Sequence, residues 1–114
     1  MESKKEEDRA ASELLFEVET PLGFKVRVNH GYWELIVTIK HPVMAGRERE
    51  VQEALANPNE IRQSRRDTAV YLFYSVERLG RRICAVAKRL NGVGFLITTY
   101  ITEAVKEGER VWPK

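Results

Sequence analysis

The sequence has one cysteine, two histidines and no apolar run approaching the roughly 18–20 residues needed to span a bilayer. A lone cysteine, Cys84, cannot form an intramolecular disulfide, so a reducing, cytoplasmic location is expected. One cysteine and two histidines offer no recognisable zinc-ligand spacing, and neither a metal nor a cofactor is expected. The first ten residues, MESKKEEDRA, lack the apolar core of a signal peptide, and no association with a membrane is predicted.

The length of the chain and the distribution of its charges indicate how many domains it forms and what kind of partner it could bind. A chain of 114 residues is long enough for one hydrophobic core, so we expect a charged, frayed segment over residues 1–12 and a single domain over residues 13–114. The net charge is only +2, but residues 25–100 hold 13 Lys and Arg against 7 Asp and Glu. This basic body is consistent with a polyanionic partner, and equally with an ordinary solvated surface of mixed sign.

The first half of the chain predicts a β-hairpin followed by one or two helices. In LLFEVETPLGFKVRVN, apolar and polar residues alternate with period two on both sides of a Pro-Leu-Gly turn. Asn29 is a suitable N-cap for a helix whose apolar residues recur at helical spacing, and Pro42 predicts that this helix ends near Lys40 or His41. A second helix is expected over about residues 47–56, before Asn-Pro-Asn.

Three short apolar runs in the second half predict an antiparallel meander. They cover residues 69–76, 82–90 and 95–101, are rich in β-branched and aromatic residues, and are separated by ERLGR and NGVG. Residues 60–64 are expected to form a short strand or an extended approach to the sheet, and residues 102–109 a short helix. The predicted fold is therefore α+β: an N-terminal hairpin, one or two helices and a C-terminal antiparallel meander of three or four strands.

Strict alternation along the last strand predicts a core face and an open face. Thr98 and Tyr100 would then present two hydroxyl groups on the open face. In the middle strand either alternating set could face the core, so alternation alone does not decide whether Lys88 joins them. The residues expected on the core face of the last strand are Phe95, Ile97, Thr99 and Ile101.

Three segments carry a resemblance to a known superfamily: YWELIVTIKHPVM, EALANPNEIRQSRRDTAVYLFY and VAKRLNGVGFLITTY, which together cover about residues 32–100. Helices followed by a meander, with a histidine at a helix end and basic and hydroxyl residues on the strands, resemble the Barnase–EndoU–colicin–RelE (BECR) superfamily of ribonuclease folds. The likeness is to its uncharacterised phage- and toxin-associated branch. The resemblance implies a small toxin-type endoribonuclease that acts on RNA and pairs with a small antitoxin protein. The N-terminal hairpin lies outside it.

Metal-free cleavage of RNA needs a base for the 2′-OH proton, an acid for the leaving 5′-oxygen, and cations or donors for the charge on phosphorus. Imidazole, with an ordinary pKa of about 6.5, can fill either proton-transfer role. In the resemblance, His41 of HPVM matches the helix-end histidine, and Lys88, Thr98 and Tyr100 match the basic and hydroxyl positions on the strands. These four residues are the expected catalytic set. Three arginines and a tyrosine near the first meander strand are the expected RNA-binding residues: Arg62, Arg65, Arg66 and Tyr71.

Each candidate also has a structural interpretation. His41 is placed to cap a helix C-terminus, Lys88 to protect a strand edge, and Tyr71 to pack in the core. The meander holds no second histidine or isolated carboxylate, so a Barnase-like His/Glu pair and a RelE-like set of Lys88, Arg62 and Tyr100 both stay open. The alternative to an enzyme is a non-catalytic module of the same fold that binds nucleic acid or a protein.

Overall fold

A computed structural model describes residues 10–105 and 107–114, so residues 1–9 of the predicted charged segment lie outside the described residues. The strands are β1 (Leu14–Glu19), β2 (Lys25–Asn29), β3 (Glu60–Gln63), β4 (Val70–Arg78), β5 (Arg81–Leu90), β6 (Val93–Thr102) and β7 (Glu109–Trp112). The helical segments are α1 (His30–Leu35), a π-helical turn (Ile36–Lys40), a 3₁₀ turn (Pro42–Met44) and α2 (Glu48–Ala56). The strands form one mixed sheet in the order β1-β2-β6-β5-β4-β3-β7, which confirms the α+β class.

The helical segment after the hairpin forms where its capping residue predicts. The Asn29 side chain accepts a hydrogen bond from the Tyr32 backbone N–H at 2.7 Å, which satisfies one of the free amides of the first turn. The segment then widens into a π-helical turn, which closes when the His41 N–H donates to the Ile36 carbonyl at 2.7 Å. Pro42 follows at once, so the helix ends at Lys40, as predicted. The second helix is also confirmed.

The core lies between the helices and one face of the sheet. Its largest fully buried side chains include Phe24 from the turn before β2, Phe73 from the sheet, and Ile36, Met44 and Leu55 from the helical segments. A smaller cluster occupies the opposite face of the sheet, where Val105 packs against it. The buried members of this second cluster are Leu72, Tyr74 and Cys84. Within the described residues, no helix is long and apolar enough to cross a membrane.

The sheet is larger than the predicted meander of three or four strands, because the N-terminal hairpin and β7 also join it, whereas β3 is the short strand expected over residues 60–64. The hairpin attaches through β2, which runs parallel to β6, and β3 extends the other side. Residues 103–105 and 107–108, expected to be helical, are not, and β7 follows them and pairs with β3. Gly108 enters β7 at a φ of 76° and lies so close to the Gln63 backbone that a Cβ would collide with it. Pairing between residues this distant leaves no local sequence signal.

A β-bulge at Ile97 corrects the predicted faces of the last strand. Val86 pairs with Thr98, but Ala87 pairs with Leu96, so Ile97 is an extra residue without a direct partner on β5. The side chains that precede the bulge therefore face the opposite side of the sheet from the one predicted. Leu96 is buried and Phe95 is 41% exposed, the reverse of the prediction for Phe95, whereas Thr99 and Ile101 face the core as expected.

The bulge predicts a measurable contrast between two adjacent residues. Leu96→Ala should lower the free energy of unfolding by about 2–5 kcal/mol, because it leaves a cavity in the core. Phe95→Ala should change it by no more than about 1 kcal/mol, because this ring is largely on the surface. Urea unfolding followed by circular dichroism measures both. A larger loss for Phe95→Ala than for Leu96→Ala would mean that the strand alternates without a bulge.

Candidate functional site

The π-helical turn brings His41 to the sheet beside β6. The centroid of its ring lies 5.6 Å from that of Tyr100, with the two planes inclined at 39°. The approach is open because β2 pairs with β6 only as far as Phe95, so the rest of that edge of β6 has no strand partner in the described part of the chain. The end of the helical segment fills this gap instead. His41 and Tyr100, distant in sequence, are therefore neighbours.

A second tyrosine fastens the helical segment to the bulge. The Tyr32 hydroxyl donates a hydrogen bond to the Ile97 carbonyl at 2.6 Å, and Lys40 Nζ donates to the same hydroxyl at 3.3 Å. The Lys40 ammonium also lies 5.4 Å from the centre of the Tyr32 ring, within range of a cation–π interaction. Sequence reasoning missed both residues. Tyr32 was assigned to the apolar stripe of the helix, and the only signal for Lys40 was its position next to His41.

Thr98 has a buried hydroxyl group beside His41 and Tyr100. It follows the bulge directly and lies two residues from Tyr100, on the same face of β6. Its Oγ1 is buried and makes no hydrogen bond to any residue that the structure describes. Leaving a buried hydroxyl unpaired typically costs about 1–3 kcal/mol, so such a group calls for a partner. A phosphate oxygen is one chemical group that could accept a hydrogen bond from this hydroxyl.

Lys88 lies on the same face as Thr98 and Tyr100, which alternation could not decide. Its neighbours Ala85 and Ala87 are buried against the helices, so Lys88 points to the other side of the sheet, where it pairs across the strand with Phe95. Its ammonium forms a 3.0 Å salt bridge with Asp67. The backbone N–H of Ala69, and then Lys88 itself, hold the pKa of the Asp67 carboxyl below its ordinary value.

Tyr100, Cys84 and Tyr74 form a row across three strands of the open face. Burial raises the pKa of both tyrosine hydroxyls well above the ordinary value, and the neighbouring Cys84 raises it further. Tyr100 is therefore a neutral phenol at physiological pH. It can donate a hydrogen bond, but it is not a base.

The predicted RNA-binding residues do not gather around His41. Arg62 lies on β3 and is held by Glu60 at 2.6 Å and by the Gly108 carbonyl at 3.1 Å. Arg65 and Arg66 are exposed in the turn before β4, and Arg65 lies 4.0 Å from Glu109. Tyr71 packs on the helix side of the sheet with its ring centroid 5.6 Å from that of Phe24. The structure thus brings together His41, Thr98 and Tyr100, with Lys88 on the same face.

Two further observations bear on the site. Across residues 10–105 and 107–114, no group of three or more His, Cys, Asp or Glu side chains could hold a metal ion. Comparison with protein-family models, with curated proteins and with solved structures finds no match to this chain. The chemistry of the site therefore has to be argued from its own residues.

The buried row of the open face predicts an unreactive cysteine. Burial raises the pKa of the Cys84 thiol to about 12, and the residue has no exposed surface. At about pH 8 the native protein should react with a thiol reagent at least a hundredfold more slowly than the chain unfolded in guanidinium chloride. A coloured disulfide reagent measures both rates. Fast modification of the native protein would show that the row is open to solvent.

Proposed function

We propose that this chain is a metal-independent endoribonuclease of the toxin type. The observation that carries the proposal is the placement of the His41 ring against Tyr100, at the part of the β6 edge that has no strand partner among the described residues, beside Thr98, whose buried hydroxyl has no hydrogen-bond partner among them. A proton-transfer group and two neutral donors therefore lie close together at this edge. Lys88 adds a cation on the same face. This arrangement supports the resemblance to the BECR ribonucleases.

In the proposed reaction, His41 removes the proton from the 2′-OH while the 2′-oxygen attacks phosphorus. The bond from phosphorus to the 5′-oxygen breaks, and water protonates that oxygen, because it leaves on the side of phosphorus opposite the 2′-oxygen and out of reach of the same imidazole; the imidazolium then releases its proton to solvent. The products are a 2′,3′-cyclic phosphate and a free 5′-hydroxyl, so no other reactant is needed. Thr98 and Tyr100 would donate hydrogen bonds to the non-bridging oxygens as charge develops on them, and Lys88 would offset that charge.

One observation favours the non-catalytic alternative. Two of the expected phosphate-binding cations are already neutralised, Lys88 by Asp67 and Arg62 by Glu60. A site whose cations are paired in this way is also compatible with a module that binds nucleic acid or a protein without cleaving it. A small antitoxin is the protein partner that we propose. The exposed apolar side chains of Ile39 and Val43 flank His41 and would lie beneath such a partner.

A cleavage assay separates the two functions. The purified protein should fragment total RNA in the presence of EDTA, and His41→Ala should slow cleavage by a factor of about 10²–10⁴ because it removes the proton-transfer group. His30→Ala is the matched control, since this exposed histidine lies at the opposite end of the same helical segment. An absence of fragments even with tens of micromolar wild-type protein, or equal loss in both variants, would overturn the nuclease proposal.

The salt bridge to Asp67 predicts opposite effects of two substitutions on RNA binding. Asp67→Asn keeps an oxygen for the 3.0 Å bond from the Ala69 N–H but removes the charge that holds Lys88. It should tighten binding of a short RNA about two- to fivefold, the range of a surface ion pair. Lys88→Ala should weaken binding and lower the salt dependence by about one phosphate contact.

Both variants are best compared in a His41→Ala background, so that the RNA stays intact while fluorescence anisotropy is recorded. Arg49→Ala is a suitable control, since it removes an exposed cation from α2. Equal affinities for all three variants would remove Lys88 from the proposed site.

A further inference from the structure

A cleft of about 420 Å³ lies beside the candidate site, in the fork between β2 and β6. The fork exists because these strands pair only over Lys25–Arg27 and Val93–Phe95 and then diverge. Beyond that point the Ile97 carbonyl takes its hydrogen bond from the Tyr32 hydroxyl and not from a strand. Tyr32 therefore lines the cleft and also fastens the helical segment that carries His41. Tyr32 thus lies between the cleft and the candidate site and contributes to both.

The lining of the cleft combines a flat apolar surface with hydrogen-bond donors. Leu14 and Phe95 supply the exposed apolar surface, and Phe95 is 41% exposed. Arg27, which also lines the cleft, is paired across the sheet with Phe95 and lies 3.1 Å from Glu17. Asn29 contributes its side-chain amide, whose oxygen is occupied by the Tyr32 N–H, so that the nitrogen is the group left to donate.

Phe95 has a cation on each side along the sheet. Its cross-strand neighbours are Arg27 on β2 and Lys88 on β5. An exposed aromatic ring between two cations is the arrangement by which proteins hold a single-stranded nucleic acid, because bases stack on the ring and phosphates meet the charges.

We propose that the cleft binds one nucleobase of a single-stranded RNA, stacked on Phe95, while the adjoining phosphate lies at Lys88. This inference rests on the proposed function and names the substrate feature that the site selects. Arg27 and the Asn29 nitrogen both donate, so the cleft prefers a base edge that presents acceptors. Guanine offers O6 and N7 together, and it is the base that this lining selects.

Binding of short labelled RNAs tests the proposal. In the His41→Ala background, an RNA pentamer with one guanine in an otherwise uniform uridine sequence should bind more tightly than pentauridine. Phe95→Leu should weaken binding of the guanine-containing RNA on the order of tenfold and abolish the difference between the two RNAs. Phe95→Tyr should restore both, because it retains the aromatic face. Leu79→Ala is the matched control, since this residue is fully exposed at the tip of the β4–β5 hairpin.

The outcomes distinguish this inference from the proposed function. Loss of binding in Phe95→Leu, with recovery in Phe95→Tyr, would support the base-binding cleft even if the wild-type protein cleaves nothing. His41-dependent cleavage whose rate and preferred sites are unchanged by Phe95→Leu would overturn the cleft and leave the nuclease intact. Binding of a protein that depends on Phe95, without binding of either RNA, would also overturn it.

Discussion

The hydrogen bond from the Tyr32 hydroxyl to the Ile97 carbonyl connects the two halves of this molecule at the point where their strand pairing ends. On one side of it, β2 and β6 run parallel; on the other, the strands separate and the helical segment takes the place of a neighbouring strand. Without this bond the carbonyl of a bulged residue would be left without its partner. The same side chain receives Lys40, so the helix end that carries His41 is anchored twice.

The Tyr32–Ile97 hydrogen bond matters because it is made at the β-bulge of β6. It turns Leu96 into the core while leaving Phe95, Thr98 and Tyr100 on the opposite face. A regular strand could not do both, because side chains alternate strictly. The extra residue therefore places the 420 Å³ cleft and the hydroxyl groups along one edge of β6. Bulges that redirect side chains in this way are over-represented next to active sites.

Local chemistry made much of the fold predictable from the sequence. The capping side chain of Asn29 predicts the start of the helix, and Pro42 predicts its end. The two-residue turn at Asn91 and Gly92 predicts the β5–β6 hairpin. The parallel pairing of β2 with β6 and the addition of β7 depend on residues tens of positions away, so no local pattern could predict them. For this reason, residues 103–105 and 107–108 are not helical, although a helix was expected there.

The candidate site was likewise only partly predictable from the sequence. The His41 ring lies against Tyr100, with Thr98 on the same face as Tyr100, and the catalytic roles that the resemblance implies for these residues stay predictions. The face of Lys88 required the register of β5, and the partners of Arg62 required β7 to be in place. Tyr32 was missed because an aromatic residue at helical spacing is indistinguishable in sequence from one that only fills the core.

The parallel pair has a further consequence, which concerns the order of assembly. Lys25 and Val93 are separated in sequence by the helices, β3 and two meander strands, β4 and β5, so their contact closes a loop of more than half the chain. Contacts of such long range form late and slowly, because the entropy of closing the loop must be lost before they stabilise anything. Until such contacts form, this edge of β6 stays bare, and bare strand edges can pair with other strands. The N-terminal hairpin, which lies outside the region of resemblance, thus covers the Val93–Phe95 part of that edge.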